Sequence, residues 1–381
     1  MSSFESRRIL LLWSDNTAAN YGLRVLAAAN AKLVCEAFSP EPVDVDCQDF
    51  GPGDSLVSFG TKSIFRNILS RKGSIDRKLA QYDLVVDTGA GDSFADIYGL
   101  KRLSFIVYAH YRIRRLKIPL IMAPQTVGPF NTKIGRYFAR KSLSYASMVV
   151  TRDTASTRYC QDMGVTVDAT ATDVVFALGY VPPSQIEADL DVLLNVSGLL
   201  WFSDNHGDSR HYRSETIELI KSLIARNRSV VLLPHVINSR SGNDDIDASN
   251  ALLDLLTAEG VNDVVIRASG SLPQARTLIA SANVVIGARM HACLNALSLG
   301  VPAIPWAYSR KFGPLLADLG WDYVIDLKTE TLPAQKTLRI VDALEIGTPP
   351  ELERMRLVAA GKINDYVKSL AKTIRLHDNA R

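Results

Sequence analysis

Short apolar runs alternate with longer amphipathic segments along most of the chain. In the first half the apolar runs are bounded by turn residues, which predicts buried strands. These runs lie at 9–13, 84–87, 120–123 and 148–151, and stretches of helix length lie between them at 19–36, 101–116 and 133–146. Such an alternation predicts a parallel α/β sheet flanked by helices.

The same alternation begins again in the second half. Strand-like runs lie at 191–196, 229–233, 264–266, 284–286 and 303–305, with helix-length stretches at 213–227, 247–259, 273–281 and 291–299. A double proline in YVPPSQ (180–185) separates the two series and cannot continue a helix or a central strand. We therefore predict an N-terminal Rossmann-like domain (1–182), a C-terminal one (183–345), and a C-terminal helix (346–381) that packs back on the body.

Two such domains in tandem predict an α/β architecture with two doubly wound sheets facing across a cleft. Doubly wound sheets bind their ligands outside the carboxyl ends of the strands. Functional side chains are therefore expected in the loops that directly follow strands.

The overall composition is that of a globular protein. Of 381 residues, 47% are hydrophobic and 22% charged, which excludes a disordered or collagen-like chain. The four cysteines lie far apart without a CxxC pair, so neither a zinc ribbon nor a disulfide framework is predicted. No apolar run approaches the length of a membrane span or of a signal-peptide core. These features predict a cytoplasmic protein.

The net charge of +3 hides an asymmetry between the two halves. Residues 1–150 carry 20 Lys or Arg against 13 Asp or Glu, and 151–381 carry 23 against 27. Most of the excess lies between Lys62 and Lys141. One interpretation is a solvated helical face; the other is attraction to an anionic acceptor or to the inner membrane surface. No nucleic-acid-binding motif accompanies the charge, so no nucleic acid partner is expected.

The loop at 287–291 (GARMH) carries the sharpest candidate chemistry. An apolar run ends at Gly287, and a helix of small residues follows His291. Arg289 and His291 therefore lie where a strand meets a helix N-terminus, which favours a carboxylate or a phosphate. The imidazole could act as a general acid or a hydrogen-bond donor. The structural alternative is that His291 caps the helix while Arg289 pairs with an acid.

Two further basic residues follow strands. Arg152 comes directly after the run 148–151, where it could bind an anion or simply pair with Asp153 at a helix start. His235 ends the strand-like segment VVLLPH and is followed by Asp244 and Asp245. Either residue is a candidate ligand contact or a structural group.

Three polar loops follow strands of the N-terminal half. The segment 87–99 (DTGAGDSFADIYG) offers Asp92, Ser93 and Asp96, which can read hydroxyl groups. It lacks the third glycine of a dinucleotide fingerprint and the GK[ST] ending of a P-loop. The other two loops are NTAANYG (16–22), with Asn16, and PQTVGPF (124–130), with Gln125. Together they predict an acceptor surface for a polyhydroxylated ligand.

Several enzyme classes are disfavoured by missing motifs. The chain has no GxSxG, no HExxH and no Cys/His cluster, which argues against serine hydrolases of that class and zinc enzymes. No metal or organic cofactor is predicted.

Taken in order, the post-strand loops resemble the polysaccharide pyruvyl transferase family. The matching segments are NTAANYG (16–22), GAGDSFADIYG (89–99), APQTVGPF (123–130), TRDTAS (151–156), ATDVVFAL (171–178), NVSGLLW (195–201), LLPHV (232–236), GARMHACLNALSLGVPAI (287–304) and AYSRKF (307–312). The resemblance implies a GT-B-like fold. It also implies transfer of the enolpyruvyl group of phosphoenolpyruvate to a sugar diol of a bacterial-type surface or exopolysaccharide precursor, giving a cyclic ketal and phosphate.

The resemblance also implies roles for single residues. Arg289 and His291 match the family's phosphoenolpyruvate-binding Arg-x-His pattern, and Arg152 is the best match for a further catalytic arginine. On this reading the two arginines hold the anionic groups of the donor and His291 protonates its methylene carbon. The substrate-binding candidates are His235, Lys311, Asp92, Ser93, Asp96, Asn16, Gln125 and Ser197. The donor is expected in the C-terminal domain and the acceptor, free or lipid-linked, on the basic N-terminal one, with possible peripheral contact to the inner membrane surface.

Two other functions remain open from the sequence. A sugar-nucleotide-dependent GT-B glycosyltransferase shares the architecture and would bind a nucleotide diphosphate in its C-terminal domain. A catalytically silent saccharide-binding member would bind glycan and tolerate the loss of His291.

Overall fold

The computed structural model describes residues 6–51, 57–70, 73–179, 190–239, 242–344 and 349–379. The chain divides into two compact units: residues 1–17, 23–177 and 359–381 form unit 1, and residues 18–22 and 178–358 form unit 2. The predicted boundary at 182/183 and the double-proline segment 180–185 lie outside the described residues.

Unit 1 is built on a parallel sheet of six strands among the described residues, in the order β2-β1-β3-β4-β5-β6. The strands are β1 (Arg7–Leu12), β2 (Val43–Gln48), β3 (Leu84–Asp87), β4 (Leu120–Gln125), β5 (Met148–Thr151) and β6 (Ala169–Thr170). The predicted apolar runs are the four central strands. β2 and β6 lie at the edges and are largely half-buried, so their sequences lack the apolar run of a central strand.

The helices of unit 1 cover both faces of this sheet. They are α1 (Tyr21–Phe38), α2 (Thr61–Leu69), α3 (Ser74–Leu79), α4 (Leu100–Arg115), α5 (Lys133–Leu143) and α6 (Thr154–Asp162). The core on one face packs Leu10 and Val85 of the strands against Ile106 of α4 and Ala139 of α5. The hydrophobic periodicity of α1, α4 and α5 was sufficient to predict them.

Unit 2 repeats the architecture with the order β12-β11-β10-β7-β8-β9, again all parallel within the described part. Its strands are β7 (Leu190–Asn195), β8 (Val230–Leu232), β9 (Val265–Ile266), β10 (Ala282–Gly287), β11 (Ala303–Ala307) and β12 (Ile325–Asp326). Its helices are α7 (Gly198–Trp201), α8 (Ser209–Ile224), α9 (Asp245–Ala258), α10 (Leu272–Ala280), α11 (Met290–Leu299), α12 (Phe312–Asp318) and α13 (Pro333–Leu344). The last helix, α14 (Pro350–Asn379), begins in unit 2 and ends in unit 1.

Strand register determines which loops share an edge. Gly287 at the end of β10 lies opposite Asn195 of β7 and Pro305 of β11. Because parallel strands end at the same edge, the residues that follow these strands are brought together.

The short segment 18–22 belongs to unit 2 because it pairs with the chain after β8. The amide of Ile237 donates to the carbonyl of Ala19 (2.9 Å), and the amide of Tyr21 donates to the carbonyl of His235 (3.1 Å). The sequence did not predict that this N-terminal loop would pair with the second half of the chain.

The helices of the described residues differ from membrane-spanning helices. None of them combines the length and the apolar character that crossing a bilayer requires.

Candidate active site

Arg289 is held at the point where β10 meets α11. Gly287 ends the strand so close to β7 that a Cβ there would lie 2.9 Å from the Cβ of Asn195. The Arg289 amide donates to Oδ1 of Asn195 (2.9 Å), and Arg289 is the N-cap residue of α11. The side chain therefore starts at a helix N-terminus, as the sequence predicted.

A buried carboxylate, Asp245, fixes the direction of the guanidinium. Nε of Arg289 lies 3.1 Å and Nη2 lies 2.7 Å from Oδ1 of Asp245. Nη2 also donates to the carbonyl of Asn243 (2.8 Å). Within the described residues this leaves Nη1 as the guanidinium nitrogen without a hydrogen bond.

Asp245 also joins the ends of the neighbouring strands. It is completely buried and accepts hydrogen bonds from Nδ2 of Asn195 (3.2 Å) and from the amides of Gly198 (2.9 Å), His235 (3.1 Å) and Val236 (3.0 Å). Burial opposes the charge on Arg289, but the charge and hydrogen bonds of Asp245 outweigh it and raise the pKa of the guanidinium. The arginine is therefore always charged and pre-positioned.

His291 follows two residues after Arg289, in the first turn of α11. Its ring lies against the backbone of Gly22, where a Cβ would be only 2.7 Å from Nδ1 of the imidazole. Nδ2 of Asn295 donates to the His291 carbonyl (2.6 Å). A glycine at position 22 is thus required for the imidazole to occupy this place.

His235 lies at the end of the segment after β8 and is almost fully buried. Its ring packs edge-on against Tyr21 at 5.5 Å, and its Nε2 has no hydrogen-bond partner among the described residues. Burial lowers the pKa of His235 well below the usual range, and the nearby His291 and Arg289 lower it further. The imidazole is therefore neutral, and its buried Nε2 is left unpaired within the described chain.

His206 lies near several cations of unit 2, Arg289 among them. Burial, followed by the charges of Lys311, Lys328 and Arg289, lowers the pKa of the half-buried His206. The His206 ring also packs edge-on against Tyr308 at 5.4 Å. Positive charge is thus concentrated at the carboxyl edge of the unit 2 sheet, where it favours an anionic ligand.

Ser197 lies at the same edge, after β7. It is fully buried, its amide donates to the hydroxyl of Tyr212 (3.0 Å), and its Oγ has no hydrogen-bond partner within the described chain. The structure therefore brings together Ser197, His235, Arg289, His291 and Lys311 of the predicted residues in unit 2.

Arg152 lies in unit 1, at the carboxyl edge of that sheet. It is buried, and Nη1 pairs with Oδ2 of Asp173 (3.2 Å) while Nε donates to Oγ1 of Thr126 (2.9 Å). Its Nη1 lies 3.5 Å from a Cβ built on Gly91. The sequence suggested Asp153 as a structural partner of Arg152. Instead, Asp153 caps α6, because its side chain accepts a hydrogen bond from the amide of Ser156.

Gln125 is the neighbour of Arg152 at this edge, because its carbonyl accepts from the Arg152 amide (3.2 Å). Nε2 of Gln125 donates to the carbonyl of Asp87 (3.0 Å). Oε1 of Gln125 and Nη2 of Arg152 are buried without a hydrogen-bond partner among the residues described. One edge of the unit 1 sheet thus contains a buried acceptor and a buried donor without hydrogen-bond partners in the described chain.

Asp96 and Asp92, which were also predicted to bind substrate, form hydrogen bonds within unit 1. Asp96 accepts from the amides of Asn131 (2.7 Å) and Thr132 (2.8 Å), which holds the start of α5. Burial opposes the charge of Asp96, but these hydrogen bonds lower its pKa. Asp92 accepts from the hydroxyl of Tyr98 (2.7 Å).

Ser93 and Asn16 complete the predicted set in unit 1. Ser93 is buried, and its amide bonds to the carbonyl of Gly89. Nδ2 of Asn16 lies 3.7 Å from Sγ of Cys47. Asn16 lines a cavity of about 570 Å³ with Cys47 and Lys78 that contains neither Arg152 nor Gln125.

Among the described residues no group of three or more His, Cys, Asp or Glu side chains is arranged to hold a metal ion.

Asp245 and His206 of the unit 2 site were not among the predicted site residues. The loop 16–22 was predicted for the acceptor surface, but its contact with His291 through Gly22 was not predicted. Asp245 directly follows the N-cap residue of α9 and resembles an ordinary first-turn acid. His206 follows α7 in a polar turn, and Gly22 belongs to a loop assigned to the other half. Only a known pairing with Arg289 or His291 would have identified them.

Comparison of the sequence with known proteins identifies a family for the chain. The model of the family described as polysaccharide pyruvyl transferase matches residues 20–310. The amylovoran biosynthesis protein AmsJ of Erwinia amylovora is 26% identical over 258 residues, which is 64% of this chain and 61% of AmsJ. The match thus spans less than two thirds of that relative's length.

Solved structures with the same fold include nucleotide-sugar proteins. The UDP-GlcNAc 2-epimerase of Neisseria meningitidis bound to UDP-GlcNAc aligns over 96% of this chain and all of its own, with a TM-score of 0.57 and 13% identity. Anabaena HepE in complex with UDP and glucose aligns over 98% of this chain and all of its own, with a TM-score of 0.53 and 14% identity. At this identity the likeness shows the fold alone, which is GT-B-like.

Proposed function

Because the chain belongs to the polysaccharide pyruvyl transferase family, we propose that it transfers the enolpyruvyl group of phosphoenolpyruvate to two hydroxyls of one saccharide unit. The products are a cyclic pyruvate ketal and phosphate. The saccharide is a precursor of a surface polysaccharide or exopolysaccharide, in keeping with the biosynthetic role that the name of AmsJ describes.

One observation carries the donor assignment. Arg289 is oriented by Asp245 at the N-terminus of α11, with His291 two residues further along the helix. Phosphoenolpyruvate carries a carboxylate and a phosphate, and either anion can bind at a helix N-terminus and accept a hydrogen bond from Nη1, the guanidinium nitrogen that Asp245 and Asn243 do not use. Lys311 and Lys328 add positive charge at the same edge.

The proposed reaction begins with proton transfer to the donor. His291, as the imidazolium, donates its proton to the methylene carbon C3, and the C2–C3 π electrons form the new C–H bond. The cationic centre left at C2 accepts the oxygen of one sugar hydroxyl, which passes its proton to the now neutral imidazole of His291. The C2–O bond to phosphate then breaks, phosphate leaves with the electron pair, and the second hydroxyl adds to C2 and passes its proton to the departing phosphate.

The neighbouring groups of unit 2 have roles in the same scheme. Nη1 of Arg289 and the charge of Lys311 hold the anionic groups of the donor, and they stabilise phosphate as it leaves. His235 stays neutral because it is buried, so its open Nε2 contributes a hydrogen bond and no charge.

The carboxyl edge of the unit 1 sheet supports the acceptor assignment. Oε1 of Gln125 and Nη2 of Arg152 are a buried acceptor and a buried donor that lack hydrogen-bond partners in the described chain. A buried polar atom is costly to leave unpaired, so a ligand that supplies both a donor and an acceptor fits this edge. Sugar hydroxyls do both. We assign Arg152 to this acceptor edge.

The test is product formation from purified protein. Phosphoenolpyruvate is incubated with a panel of methyl hexopyranosides; phosphate is followed by phosphorus NMR, and the ketal carbon by carbon NMR with labelled donor. We expect phosphate and a ketal with at least one glycoside. His291→Asn should lower kcat by about 10²-fold or more, the usual contribution of a general acid.

A matched control is His211→Asn, because His211 lies on α8 and its only described hydrogen bonds are made by its backbone. This variant should retain wild-type turnover. A protein that releases no phosphate with any glycoside, or a His291→Asn variant with unchanged kcat, contradicts the proposal.

A further inference from the structure

An open apolar groove runs between α4 and α5 of unit 1. Its volume is about 460 Å³. It is lined mainly by aliphatic and aromatic side chains from one stripe of each helix: Leu100, Leu103, Val107, Tyr111, Ile134 and Phe138. Gln125 and Arg152 of the acceptor edge are not among the residues that line it.

Large apolar side chains around the groove are exposed. Ile134 is 63% exposed, Tyr137 60% and Phe138 45%. On α2, which is joined to α4 by a hydrogen bond from Asn67 to Tyr108 (2.9 Å), Leu69 is 72% exposed. A soluble monomer rarely exposes so many large apolar side chains together without a binding partner.

The charges on these helices are all of one sign. Together α2, α4 and α5 contain eleven Lys or Arg and no Asp or Glu. Lys141 lines the groove, and Arg114 stacks on Tyr145, another lining residue, at 4.6 Å. Like charges at helical spacing destabilise a helix, so helix formation does not explain this composition.

We propose that this face of α2, α4 and α5 binds the surface of an anionic lipid bilayer. Aromatic and aliphatic side chains enter the headgroup region, while the long basic side chains reach the lipid phosphates. A second copy of the chain fits less well, because two such faces would bring many like charges together, and the carboxylate of Asp76 on α3 already pairs with Arg112. The proposal does not depend on which group the enzyme transfers.

Vesicle co-sedimentation of the full chain tests the proposal. Vesicles of phosphatidylcholine with about one third phosphatidylglycerol are compared with pure phosphatidylcholine vesicles. We expect at least tenfold tighter partitioning to the anionic vesicles, and a clear loss of binding at about 0.5 M salt because surface charge is screened. The combined variant Lys101→Glu and Lys141→Glu should lower partitioning roughly tenfold or more.

The apolar part is tested separately with the combined variant Ile134→Ser and Phe138→Ser. These side chains are exposed, so the variant should fold, and partitioning should again fall roughly tenfold. The matched control is Leu357→Ser with Lys368→Glu on α14, where one exposed apolar and one exposed basic side chain change outside the groove. It should bind like wild type.

Three results would overturn the proposal: equal binding to neutral and anionic vesicles, groove variants that bind like wild type, and a groove-dependent dimer. The last would appear in sedimentation velocity as a wild-type dimer that dissociates in the Ile134→Ser and Phe138→Ser variant while no form binds vesicles.

Discussion

Replacing Asp245 with asparagine tests how the unit 2 site is held together. The change keeps the size of the side chain but removes the negative charge opposite Arg289. It also turns one carboxylate oxygen into an NH2 group. If the amide oxygen keeps the Oδ1 position, the amides of His235 and Val236 and Nδ2 of Asn195 all lose their acceptor.

The magnitude follows from burial. Asp245 is completely buried, so water cannot replace the lost acceptor. Each unsatisfied buried donor costs about 1–3 kcal/mol, and a buried charge that loses its partner costs about 3–5 kcal/mol. These costs overlap, and we expect Asp245→Asn to lower the free energy of unfolding of unit 2 by about 4 kcal/mol.

Urea unfolding followed by tryptophan fluorescence measures this loss. Three of the four tryptophans, Trp201, Trp306 and Trp321, lie in unit 2, so the signal mainly reports that unit. The control is Asp247→Asn, an exposed acid in the same first turn of α9, which should cost less than about 1 kcal/mol. An Asp245→Asn variant within about 1 kcal/mol of wild type would refute this reasoning.

Three other changes probe the same site. Gly22→Ala places a Cβ 2.7 Å from Nδ1 of His291, so kcat measured by phosphate release should fall at least tenfold, while Gly361→Ala, which meets nothing within 4 Å, should leave kcat unchanged. His235 is buried with a lowered pKa, so below about pH 6.5 the unfolded chain gains a proton at this residue that the folded chain does not. Between pH 6 and pH 5 the free energy of unfolding of wild type should therefore fall by about 1.4 kcal/mol per pH unit more than that of His235→Gln, as read from urea midpoints. Lys311→Ala should raise KM for phosphoenolpyruvate several-fold with a smaller change in kcat, and an unchanged KM would exclude Lys311 from the donor site.

The central strands were predictable because each is buried on both faces. The runs at 84–87 and 148–151 coincide with β3 and β5 for that reason. The edge strands β2 and β12 were not predictable, because one side of each strand is open and its sequence carries no continuous apolar run. The four predicted helices of unit 2 correspond to α8, α9, α10 and α11.

The candidate site was predictable only where it follows strands. Arg289 and His291 could be identified from a strand end followed by a helix start, which is a local pattern. Asp245 lies 44 positions before Arg289, and no local pattern connects two residues at that separation. Gly22 is a further case, because a small residue in a polar loop does not indicate which half of the chain its backbone will contact.

The central claim is that the unit 2 edge binds phosphoenolpyruvate through Arg289. Isothermal titration of wild type and Arg289→Lys, with phosphoenolpyruvate and separately with UDP-GlcNAc, tests it most directly. Lysine keeps the charge but not the fork that Asp245 orients. We predict that wild type binds phosphoenolpyruvate and that Arg289→Lys binds it at least tenfold more weakly, a loss of about 1.4 kcal/mol or more. Binding of UDP-GlcNAc without binding of phosphoenolpyruvate would contradict the account and identify the chain as a sugar-nucleotide enzyme.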